Sequence, residues 1–125
     1  MKDEIGSKIW VIPGGFIPAY SRGEPPHMIS HETASILNVT DSEAHLEITI
    51  YFEDKEPVGP YKFIVPARRT NHIRFNDLNN PSIPTNTNYA SVISSNVPII
   101  VQHTRLDTRE SANAIFSTVA YSTNH

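Results

Sequence analysis

The amino-acid sequence predicts an all-β protein, a single-domain β-sandwich of jelly-roll type with about eight antiparallel strands. Three observations carry that expectation. Apolar and polar residues alternate at a period of two in several stretches, and no sustained helical period appears. Turn-forming residues recur between those stretches, with ten prolines against five glycines and many Ser, Thr and Asn. The 125 residues, 38% of them hydrophobic, suffice for one core and one domain over 1–125. An open Greek-key barrel is the alternative arrangement of the same strands.

The elements follow in order. Ser7 to Ile12 reads as a short apolar strand that stops at Pro13-Gly14-Gly15, and Phe16-Ile17-Pro18 leads into a loop through Tyr20, Pro25 and Pro26. Ser30 to Val39 alternates, with Ala34, Ile36 and Asn38 opposing His31, Thr33, Ser35 and Leu37. After the polar turn Thr40-Asp41-Ser42-Glu43 comes the clearest strand, Ala44 to Glu53. Leu46, Ile48, Ile50 and Phe52 face one way and His45, Glu47, Thr49 and Tyr51 the other. Asp54 to Gly59 closes a hairpin, Pro57 and Pro60 bar ladder pairing there, and Tyr61 to Val65 returns.

The central run from Val65 to Leu78 holds three of the six arginines. As a strand it puts Ile73 and Phe75 inward on the parity of Arg69 and Asn71, while Arg68, Thr70, His72 and Arg74 point the other way. Such a polar row needs water or partners. Asn79 to Asn88 is a loop by composition. Tyr89 to Ser95 and Ile99 to Arg105 read as strands separated by a turn at Asn96-Val97-Pro98. Leu106 to Ser111 reads as a loop or single helical turn, and Ala112 to Tyr121 as a last strand.

Bulk properties exclude several classes. The formal net charge of −3 speaks against a chain coated in positive charge for nucleic acid. The absence of cysteine removes disulfide and thiolate chemistry. No apolar run reaches the roughly 20 residues that span a bilayer, and the acidic start Met1-Lys2-Asp3-Glu4 does not read as a signal peptide. A cytoplasmic location is the expectation.

Polar residues gather at strand ends: Ser30-His31-Glu32, Arg68 to His72, and Gln102-His103-Thr104-Arg105. Brought to one side of a sandwich they form a donor-rich rim suited to a carboxylate, a phosphate or a polyhydroxylated ligand. The candidate ligand- or partner-binding residues are Trp10, His31, Glu32, Arg68, His72, Arg74, Asn76, His103 and Arg105. Trp10 reads either as core packing or as an aromatic platform. His31, His72 and His103 allow a zinc site in principle, but no paired ligand spacing supports one and the arginines repel a cation, so no metal and no cofactor are expected. Arg69 and Arg74 have an alternative reading as structural partners of Glu47, Glu53 or Asp77 across the sheet. No nucleophile motif, phosphate loop or Gly-rich strand-to-helix turn is present, and Asp54 and Glu56 sit in a turn, so no catalytic residues are assigned and no enzyme is expected.

These stretches resemble a known family. Trp10 to Pro18, Ile29 to Thr33, His45 to Tyr51, Asp54 to Tyr61, Val65 to Leu78, Ser95 to Ile99 and His103 to Asp107 are collinear with the sensory rhodopsin transducers, over nearly the whole chain. The resemblance implies a small cytoplasmic β-sandwich that assembles as a homotetramer and receives a signal from a membrane-embedded, retinal-bearing microbial rhodopsin. It also implies, as further possibilities proposed for that family, binding of DNA or of a small molecule such as a sugar. It brings no catalytic residues.

Overall fold

The structure is a computed structural model and describes residues 5–19, 30–107, 109 and 114–123. Eight strands follow in order: β1 (Ser7–Phe16), β2 (His31–Asn38), β3 (Ala44–Phe52), β4 (Val58–Val65), β5 (Arg69–Arg74), β6 (Asn88–Asp107), β7 (Ala114–Val119) and β8 (Tyr121–Thr123). All their pairings are antiparallel. The only helical element among the described residues is a 3-10 turn at Phe75–Asp77. One sheet runs β4-β3-β6-β1-β8, and the other runs β5-β2-β6-β7, so β6 belongs to both. The expected antiparallel sandwich is what forms.

Alternation builds the core. Leu46, Ile48 and Ile50 of β3 are buried, as are Ala34 and Ile36 of β2, Ile73 and Phe75 of the central run, and Ile93, Ile99 and Val101 of β6. Trp10 joins them, and its indole N–H is shared by the carbonyls of Ser7 and Ile99, both at 2.9 Å. A buried indole N–H without such acceptors would carry an unpaid desolvation cost. Asn38, fully buried, ties the other end of β2. Its amide donates to the carbonyls of Ser42, Val65 and Pro66, and its Oδ1 accepts the Thr40 N–H at 3.0 Å.

Several boundaries differ from the sequence expectation, and the single last strand expected over 112–121 is divided into β7 and β8. β1 does not stop at Pro13: a register shift between Ile12 and Gly15 takes Pro13 and Gly14 out of the ladder, and pairing resumes at Gly15 with Tyr89. β4 begins before Pro60, because it is an edge strand and Gly59, at φ 114°, supplies the irregularity opposite Ile48 and Ile50. The turn expected at Asn96-Val97-Pro98 is extended chain. Residues 96–98 lie between the last pairing with β3, at Ser95, and the first with β2, at Ile100, so the missing N–H of Pro98 breaks no ladder bond to those strands. Leu106 and Asp107 accordingly extend β6. The loop expected through Tyr20, Pro25 and Pro26 lies outside the described residues, as do 108 and 110–113.

Candidate functional site

β2 opens with an anomaly. Its inward row is Glu32, Ala34, Ile36 and Asn38, so the chain's alternation drives a carboxylate into the sandwich, where Glu32 is 1% exposed. A buried carboxylate survives only with compensation. The β2–β6 ladder supplies it, because Glu32 pairs with Arg105 and Ala34 with His103, placing both β6 side chains on the same inward face. Glu32 Oε1 lies 2.8 Å from His103 Nε2, which donates to it. Glu32 Oε2 accepts the Phe16 N–H at 2.5 Å and sits 3.5 Å from Arg105 Nε. Arg105 Nη2 in turn donates to the Phe16 carbonyl at 3.1 Å.

Those contacts have a backbone meaning. β8 covers β1 only at Ile9, Trp10 and Val11, so β1 runs on towards Phe16 without that neighbour. A strand end with unpaired peptide groups is costly when buried. Here the Glu32 carboxylate takes the peptide N–H of Phe16 and the Arg105 guanidinium serves its C=O, doing with side chains what an adjacent strand does with backbone. Asn76 fixes the start of β2: its Oδ1 accepts the Glu32 N–H at 3.2 Å and its amide donates to the Ser30 carbonyl at 3.1 Å.

A cleft of about 1030 Å³ lies beside this cluster, with Gly14, Phe16, Tyr51, Tyr89, His103 and Arg105 among its walls. Tyr89 is 4% exposed, and its hydroxyl has no hydrogen-bond partner of regular geometry. Burial, reinforced by the neighbouring Glu32 carboxylate and opposed in part by Arg105, pushes the Tyr89 phenol well above its ordinary range. The ring packs onto Gly15, where a Cβ would stand 2.5 Å from it. At the rim Arg109 chelates Asp107, with Nη2 2.6 Å from Oδ2, and lies 5.5 Å over the Phe16 ring. These hydrogen bonds hold the Asp107 carboxyl below the usual carboxylate range.

Of the sequence-derived candidates, Glu32, Asn76, His103 and Arg105 are thus brought together. The rest are placed elsewhere. Trp10 is core. His31 is half-buried on the opposite face of β2 from Glu32. Arg68 precedes β5 at φ 55°, exposed and 2.7 Å from Asp41, with its N–H bonded to the Thr40 carbonyl. His72 is exposed on β5, and Arg74 is half-buried opposite Thr33. Among the described residues no group of three His, Cys, Asp or Glu side chains could hold a metal ion. Sequence reasoning missed Tyr89, Gly15 and the Phe16 peptide. Nothing local marks them, since their roles come from the β1–β6 register.

The sequence profile of the Anabaena sensory rhodopsin transducer family matches residues 5–122. Among solved structures, the Anabaena sensory rhodopsin transducer is 61% identical over 82% of this chain and 99% of its own, with a TM-score of 0.73. The crystal structure of Thermotoga maritima 1070 is 32% identical over 96% of this chain and 97% of its own, with a TM-score of 0.86. No curated protein sequence matches the chain. No helix among the described residues is long and apolar enough to cross a membrane.

Proposed function

Because the chain belongs to the Anabaena sensory rhodopsin transducer family, we propose that it is a non-enzymatic adaptor that takes a signal from a membrane-embedded rhodopsin and passes it to cytoplasmic partners as a homotetramer. The observation that carries this reading is the family match along nearly the whole length. Charge supports it: the chain is at −3, whereas cytoplasmic loops of membrane proteins are rich in Lys and Arg. The buried Glu32 and His103 and the half-buried Arg105 are engaged with one another and with the Phe16 backbone, which favours a structural tie over a catalytic device. The test is calorimetry of the purified protein against a microbial rhodopsin in nanodiscs, in light and in darkness. Binding in at least one condition is expected, and no association in either overturns the reading. Light scattering should give the mass of four chains, and a monomer would remove the tetramer.

A second reading, a sensor of a small hydroxylated molecule, is supported by the cleft and by the His103 and Arg105 side chains among its walls. A small anion fits less well, because Glu32 opposes Arg105 and Asp107 opposes Arg109. A sugar panel should then raise the melting temperature of the wild type and not of Gly15→Leu; no rise across the panel ends this reading. DNA binding draws less support, since Arg68 is paired with Asp41 and Arg105 donates inward to the Phe16 carbonyl.

A further inference from the structure

On the outer face of the five-stranded sheet, Tyr51 of β3 pairs across to Ala90 of β6. The next position in that row, on β1, is the Pro13-Gly14 irregularity between the Ile12–Ser91 and Gly15–Tyr89 pairs. Gly14 is exposed, with open space where a side chain would stand. One row along, Tyr121 of β8 pairs with Val11. Tyr51 is 44% exposed and Tyr121 67% exposed. Two uncovered tyrosines, three strands apart, thus flank a notch floored by Ala90 and Gly14 in one row and by Val92 and Val11 in the next, at the mouth of the cleft that Tyr89 lines at depth.

The rim has a sign. The turn after β3 carries Glu53, Asp54 and Glu56, all exposed, against one cation, Lys55. The Lys55 ammonium sits 4.6 Å over the Phe52 ring. The turn therefore presents a surplus of negative charge beside an aromatic-walled apolar notch. A second copy of this chain, itself net acidic, is a poor match for that rim. A basic segment is a good one, because it complements the turn electrostatically while an aliphatic side chain fills the notch.

We propose that this notch is the docking surface for a basic segment of a partner protein. An aliphatic residue lies between Tyr51 and Tyr121 over Ala90 and Gly14, and flanking Lys or Arg residues face Glu53, Asp54 and Glu56. The identification of that partner with a rhodopsin's cytoplasmic loops rests on the adaptor reading; the surface itself does not.

The experiment has two arms. In the first, the full chain labelled with nitrogen-15 is titrated with a short synthetic peptide of one leucine flanked by lysines, and with its glutamate counterpart. Amide shifts confined to the surroundings of Gly14, Tyr51, Ala90 and Tyr121 are expected with the lysine peptide only. Affinity should fall about tenfold in Tyr51→Ala, and again in the combined Glu53→Gln, Asp54→Asn, Glu56→Gln variant. Thermal unfolding confirms that both variants are folded. Shifts elsewhere, no shifts, equal response to both peptides or unchanged variants overturn the proposal. In the second arm the same variants meet rhodopsin nanodiscs. Wild-type binding that the variants retain sinks the docking surface and leaves the adaptor reading intact. Peptide shifts at the notch without any rhodopsin binding do the reverse.

Discussion

At the scale of single residues the sharpest feature is Glu32, a carboxylate whose two oxygens are shared among His103, Arg105 and the Phe16 peptide. Removing one member of a buried, paired set strands the others. Glu32→Gln should therefore cost about 1–3 kcal/mol in urea unfolding, because the amide keeps one acceptor oxygen and turns an NH2 towards the remaining N–H donors. Tyr89→Phe should cost less than about 1 kcal/mol, since the lost hydroxyl had no regular partner. The same variant should change behaviour in alkali. The folded-state phenol titrates above the unfolded value of about 10, so its contribution is fully present below that pH and is lost as pH rises through the folded-state value. Wild-type stability should fall above about pH 10, and Tyr89→Phe should flatten that fall; identical alkaline profiles would contradict the assignment. Gly15→Ala should cost about 1–3 kcal/mol, because the new Cβ drives into the Tyr89 ring.

At the scale of elements, Asn38 locks the end of β2 to the Thr40–Ser42 turn and to the β4–β5 connection. Asn38→Asp should destabilise more than Asn38→Ala at neutral pH, by about 1 kcal/mol or more, since it turns an acceptor-only carboxylate towards three carbonyls. Equal melting temperatures for the two variants would refute this. This scale also shows what local pattern can and cannot reveal. β3 is legible outright, because Leu46, Ile48 and Ile50 alternate with His45 and Glu47 and one face is buried. The central run is legible in its second half, where Ile73 and Phe75 are buried as their parity requires. Its first half is not: Arg69 and Asn71 share that parity yet remain exposed, on an edge strand that has β2 on one side only. Prolines misled at Pro13, Pro60 and Pro98, because a missing N–H ends a strand only where the ladder needs it. The inward parity of Glu32 follows from Ala34, Ile36 and Asn38, but its partners depend on which strand lies beside β2, and that is a non-local fact.

At the scale of the whole molecule, β6 makes the two sheets one cooperative body. Its residues up to Ser95 pair with β3, Ile99 still pairs with β1, and those from Ile100 onward pair with β2 in the other sheet. Unfolding followed by Trp10 fluorescence and by far-ultraviolet circular dichroism should therefore give coincident midpoints, and separated transitions would show that the sheets melt independently. The shared strand also bears on how the chain could be divided. A cut at Asn96 would leave an N-terminal piece holding the β2–β5 pair without the part of β6 that β2 pairs with, and a C-terminal piece holding β7 and the second half of β6 without β2. Neither fragment carries a finished sheet pair, so each should be unstructured alone and the mixture should regain the native spectrum. In that sense the protein is woven rather than stacked, and its parts are complementary halves instead of separable layers.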